Sequence, residues 1–173
     1  MGGKPVENTR ADSVKSAKPR KRAKIGDIVE IPLPHGGFGY AQYVYNYTPK
    51  PRWGALIRVF PGVAREPVRD FEEMVNGKEQ FFSFFLVGPA VSQHLVTVVG
   101  HVDLPPEGIQ FPLFKACIRP KTGPRIWYLW DGEKEWRVGT LPPEQTDLSL
   151  REIINLVALQ QRIETGWSPR DEV

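Results

Sequence analysis

Residues 25–47, IGDIVEIPLPHGGFGYAQYVYNY, read as two strands around a turn. Val29, Ile31 and Leu33 alternate with Ile28, Glu30 and Pro32, the period of a strand with one mainly buried face. Pro34-His35-Gly36-Gly37 supplies turn chemistry, because two glycines accept positive φ without strain. The tyrosine-rich FGYAQYVYNY then suits a pleated surface, and the pair is predicted to be a β-hairpin.

Outward from this hairpin the punctuation is dense, with 16 glycines and 17 prolines in 173 residues, as a chain of many short strands needs. TPKPRWG (48–54) reads as a loop and Ala55–Phe60 as a third strand. A short helix is predicted from Pro67, with Val68, Phe71 and Val75 on one face and Asn76-Gly77 as its stop. Asp70, Glu72 and Glu73 fall largely on its exposed side. Further strands are predicted at 81–87, closed by Gly88-Pro89, at 95–102 and at 114–118.

Ile126–Trp130 and Glu133–Val138 flank Asp131-Gly132, a strong hairpin signal. Trp127, Trp130 and Trp136 are expected in the core, and Trp53, in an Arg-flanked loop, as an exposed anchor. Ser149 and Glu152 have capping-box spacing, which predicts a C-terminal helix from Ser149. Its wide stripe (Leu150, Ile153, Ile154, Val157, Ala158) implies docking on a sheet. Gly166 stops it, and Trp167 is placed to fold back. The fold class is therefore α+β: one β-rich domain over 25–169, a bent or partly closed, mainly antiparallel sheet, with a short internal helix and a packed C-terminal helix. Residues 170–173 are a terminal tail.

Charge is unevenly spread. Residues 1–24 carry eight bases against Glu7 and Asp12, a net +6, which leaves 15 bases and 18 acids, net −3, on the rest. The segment 1–24 has too few large apolar groups to offset ordering entropy and is expected to be disordered. Its bases (4–24) suit weak, non-specific, salt-dependent contact with nucleic acid. No run approaches the ~20 apolar residues of a membrane-spanning helix, and no apolar stretch follows the N-terminal bases as in a secretory signal. With Cys117 as the one cysteine, a cytoplasmic location is expected.

Catalytic chemistry is not found. His35, His94 and His101 lack metal-ligand spacing, and no cofactor motif occurs. GGFG (36–39) joins strand to strand, whereas a phosphate cradle would open a helix. Cys117 has no base placed beside it by the sequence and reads as a small apolar residue. Two acidic sets remain, Asp70/Glu72/Glu73 and Asp131/Glu133/Glu135. Either is a solvated face or a patch that steers a basic protein partner.

The order of segments resembles the immunity protein 26 family of bacterial polymorphic toxin systems. KIGDIVEIPLPHGGFGYAQYV, ALIRVF, GHVDLP, FPLFK, IWYLWDGEKEWRVGTLPPEQ and RIETGWSP carry the resemblance over residues 24–169. It implies a non-catalytic protein that binds and neutralises a cognate toxin domain. No catalytic residues come with it. An acidic body suits a basic nuclease as that toxin. The alternative readings are a nucleic-acid-binding module and a MazF-like endoribonuclease, whose first strand GDIV also resembles.

Overall fold

The computed structural model describes residues 22–173, so the expectation for the basic segment falls, up to residue 21, outside the described residues. Among these the chain is α+β, with ten strands in two sheets. The first hairpin forms β1 (Asp27–Pro32) and β2 (Phe38–Tyr47), paired antiparallel from Ile28↔Gln42 to Pro32↔Phe38. Gly36 (φ 96°) and Gly37 (φ 82°) make the turn, in a backbone region that L-residues with a side chain rarely enter.

β3 (Gly54–Val59) pairs with β2, β4 (Phe81–Phe85) with β3, and β5 (Thr97–His101) with β1, all antiparallel. β6 (Phe114–Ile118), β7 (Ile126–Trp130) and β8 (Glu135–Gly139) form an antiparallel meander in a second sheet. Two dipeptide strands follow. β9 (Ser149–Leu150) adds parallel to β6, and β10 (Ile153–Ile154) adds parallel to β4. The sheets therefore read β10-β4-β3-β2-β1-β5 and β8-β7-β6-β9. The expected single bent sheet is in fact two.

Alternation decides what each face buries. Val29, Ile31, Ala41, Ile57, Val59, Phe81 and Phe85 share one face of the large sheet. Over them lie α2 (Val87–Ser92), through Val87, Ala90 and Val91, and α3 (Leu156–Thr165), through Leu159 and Ile163. The other face is divided. Val44, Leu56 and Phe84 meet Phe114 and Trp130 of the second sheet, where Phe84 stacks on Phe114 at 5.6 Å. Ile28 and Tyr40 are covered by Phe60 and Phe71, which belong to the segment leading into α1 (Glu72–Asn76).

Three boundaries depart from the sequence reading. The fourth strand ends at Phe85, because the segment Val87–Ser92 coils onto the sheet; Pro89 sits in the first helical turn, where its missing N–H has no partner to lose. α1 starts at Glu72 rather than Pro67, after Asp70 Oδ1 accepts the Glu72 N–H at 3.1 Å. The C-terminal helix starts at Leu156, not Ser149. Residues 149–154 are extended because both sheets offer them backbone partners, and tertiary pairing outweighs the helical spacing. The Ser149 hydroxyl accepts the Phe82 N–H (2.9 Å), while the helix is capped by Asn155, whose Oδ1 accepts the Ala158 N–H (2.9 Å).

At the far end of α3, Gly166 (φ 63°) ends the helix and Trp167 folds back to meet Phe81 edge-on at 5.3 Å. Residues 170–172 are not a loose tail. They lie in a 3₁₀ turn, Pro169–Glu172, and Arg125 donates to the Glu172 carbonyl.

Three substitutions test the inter-sheet core and the start of α3. Phe84→Ala, which opens a cavity between the sheets, is expected to cost about 3–5 kcal/mol in urea unfolding. Asn155→Ala should cost about 1 kcal/mol and fray the start of α3, whereas Ser149→Ala should leave helix content unchanged in far-UV circular dichroism.

Candidate partner-binding surface

The residues between β3 and β4 build a groove on the large sheet. Phe60 donates its N–H to the Tyr40 carbonyl (3.0 Å), and Phe38 and Ala64 exchange two backbone hydrogen bonds at 2.8 and 2.9 Å. Tyr40 then fixes the next turn of chain. Its buried hydroxyl donates to Glu30 Oε2 (2.7 Å) and accepts the Val68 N–H (2.9 Å). Burial first, and the Glu30 hydrogen bond second, push the Tyr40 phenol up to about 12.

α1 is seated from below. Arg58 donates to the Val75 carbonyl at 2.8 Å and to Gln42 Oε1 at 3.0 Å, with its guanidinium 5.0 Å from the Phe60 ring centre. Burial lowers the Arg58 pKa, and the charge of Glu79 partly restores it. The Phe71 ring packs against β5 at Gly100, where an added Cβ would come within 2.5 Å of it. That close approach requires glycine.

Two adjoining cavities result, of about 210 and 390 Å³, which share Phe60, Pro61, Val68 and Met74. Together they form an open groove with an apolar floor. Val63 is exposed at one end, and Asp70, Glu73 and Lys78 stand at the other. Glu72, on the same helix turn, is also exposed. The acidic set expected on this helix thus borders a concave apolar surface. Between residues 65 and 79 there are five carboxylates and three bases.

The second acidic set serves the fold. Asp131 Oδ1 accepts the Glu133 and Lys134 N–H groups at 2.9 and 2.8 Å, and these hydrogen bonds hold its carboxyl below the usual range. Glu135 pairs with Arg151, leaving Glu133 as the one member without such an engagement among the described residues. Trp53 is not an exposed anchor. It is half-buried, with its ring 5.4 Å from Phe84 and 5.8 Å from Trp130, under the Arg151 guanidinium. Trp136, expected in the core, is 40% exposed instead, because β8 is an edge strand with no layer over that side. Trp127 and Trp130 are buried as expected.

Sequence reasoning missed two polar assemblies. Lys115 is fully buried on β6, and its ammonium donates to the Thr146 and Pro169 carbonyls at 2.6 and 2.7 Å. Burial lowers its pKa against the opposing pull of Asp147 and Glu172. His101 lies between Asp27 (Nδ1, 2.8 Å) and Asp103 (Nε2, 2.9 Å). Only strand alternation at FPLFK could have flagged Lys115, and nothing in the spacing links Asp27 to His101. Among the described residues no three His, Cys, Asp or Glu side chains are placed to hold a metal ion, and no helix is long and apolar enough to cross a membrane. Comparison with protein-family models, with curated proteins and with solved structures found no match in any of the three.

The burial of Tyr40, reinforced by its hydrogen bond to Glu30 and opposed by the one from Val68, carries a pH signature. The folded state holds that proton up to about 12 whereas an exposed tyrosine loses it near 10.0, so folded stability should fall as pH rises through this interval. Tyr40→Phe should flatten that part of the alkaline loss, lower neutral-pH stability by about 1 kcal/mol, and speed exchange of the Val68 amide; pH-dependent urea titrations and hydrogen exchange read both.

Proposed function

We propose that the chain is a non-catalytic immunity protein that binds and neutralises a cognate bacterial toxin domain in the cytoplasm. The observation that carries this reading is the groove beside α1, where Asp70 and Glu73 border an apolar floor and Glu72 stands exposed on the same helix turn. An apolar centre with a charged rim is how protein interfaces are built: the centre supplies affinity, the rim orientation and association rate. The net −3 of residues 25–173 adds a favourable long-range field for a basic toxin, a nuclease among the classes that fit. The segment order shared with the immunity protein 26 family points the same way.

Structure-guided weighting favours one acidic set over the other. Asp131 and Glu135 are committed to the hairpin turn and to Arg151, and Asp70 accepts the Glu72 N–H, whereas among the described residues the Glu72 and Glu73 carboxylates have no hydrogen-bond or ion-pair partner. Capture of the full chain's partners from the native host should enrich the C-terminal part of a large secreted protein, and the purified chain should suppress that domain's toxicity. Asp70→Lys, Glu72→Lys and Glu73→Lys together should weaken the complex at least about tenfold, mostly through association rate and with a reduced salt dependence. Recovery of nucleic acid without a protein, or RNA degradation by the purified chain, would contradict the proposal and favour the nuclease or nucleic-acid-binding alternatives.

A further inference from the structure

We infer that the groove beside α1 receives a short segment of a protein partner that carries one large apolar side chain next to a lysine or arginine. This rests on the partner-binding reading above and adds what the partner must present. The floor dictates the first requirement. Phe60, Pro61, Val68 and Met74 line both cavities, and the smaller one, about 210 Å³, offers no charged side chain along its walls. Its lining side chains are mainly apolar (Phe60, Pro61, Val63, Val68 and Met74), so an apolar side chain is the matched occupant.

The rim dictates the second requirement. Asp70 and Glu73 border the larger cavity, about 390 Å³, next to the shared floor, so a base would follow the apolar group closely. Charge complementarity therefore selects a basic over an acidic segment, and the opposing Lys78 at the same cavity reinforces the selection against a cationic run with no apolar residue. The surface is also set before binding. The floor is pinned by the Phe38–Ala64 pair, by the Tyr40 hydroxyl on Val68 and by Arg58 on Val75, so little ordering entropy remains to be lost.

The chain contains two methionines, Met1 and Met74, so methyl labelling of methionine places a reporter in the groove with only one other signal. The full chain, so labelled, is titrated by NMR with three amidated peptides: one with a leucine-phenylalanine pair between lysines, one with glutamates in place of the lysines, and one of lysines and glycines alone. The inference predicts a saturable shift of the Met74 methyl with the first peptide and at least about tenfold weaker response to the other two. Asp70→Lys with Glu73→Lys should reverse the preference toward the glutamate peptide. Val63→Glu, at the exposed lip, provides a second variant whose fold does not depend on α1, and it should also weaken the first peptide.

An unmoved Met74 signal at about 1 mM peptide, or equal shifts with lysine and glutamate peptides, would overturn the inference. So would two signs of another occupant. A Met74 shift on replacing Lys18, Arg20, Lys21 and Arg22 by Ala, with no peptide present, would assign the groove to the chain's own basic segment. A shift with protein concentration would assign it to a second copy. Toxin capture by a chain whose Met74 stays unmoved in the complex would remove the site and keep the function, while peptide binding without any toxin would do the reverse.

Discussion

Within six residues, Ser149–Ile154, the chain passes from the edge of one sheet to the edge of the other. β9 takes its partners from β6, the Arg151 N–H donates to the Lys115 carbonyl, and two residues later β10 takes its partners from β4. Buried backbone donors and acceptors must be satisfied, and here the register that satisfies them ties the sheets edge to edge. That tie brings Phe84 over Phe114 and Trp130, and it draws Tyr47, Trp53 and Phe111 into one aromatic cluster. Aromatic rings in offset and edge-on contact then supply the apolar burial that holds the two layers together.

The position of the groove follows from this constraint. The second sheet covers only part of the large sheet's outer face. Ile28 and Tyr40 would be left bare, and the segment from Phe60 to α1 covers them. A segment with so little regular structure leaves Val68 and Met74 partly exposed over the buried Phe60. Hydrogen bonds from Phe38, Tyr40 and Arg58 make that open surface a fixed one. The same residues thus close the core and shape the groove.

Much of this was legible from the residues. Alternation and paired glycines reveal the first hairpin, Asp131-Gly132 the second, and Gly166 the end of α3 with Trp167 folding back. What was not legible lies where a local pattern competes with a distant one. Leu150, Ile153 and Ile154 have helical spacing with a capping serine before them, yet partners some 35 and 70 residues earlier in the chain hold them extended. Val87–Ser92 reads as a strand end because Gly88-Pro89 is a breaker in most settings. Trp53 and Trp136 exchange their expected roles because burial depends on which strands are edges, and edges are a property of topology. The acidic set on α1 could be read directly; the apolar floor beside it could not, since Phe60, Val68 and Met74 come together only through pairing with β2.

Partner recognition is proposed to concentrate in residues 60–78. Hydrogen–deuterium exchange of the full chain, alone and bound to a protein captured from the native host, tests this. The account predicts that added protection centres on residues 60–78, with little change across the hairpin 126–139. Protection centred on that hairpin, or on the open edges at β5 and β8 with residues 60–78 unchanged, would contradict it.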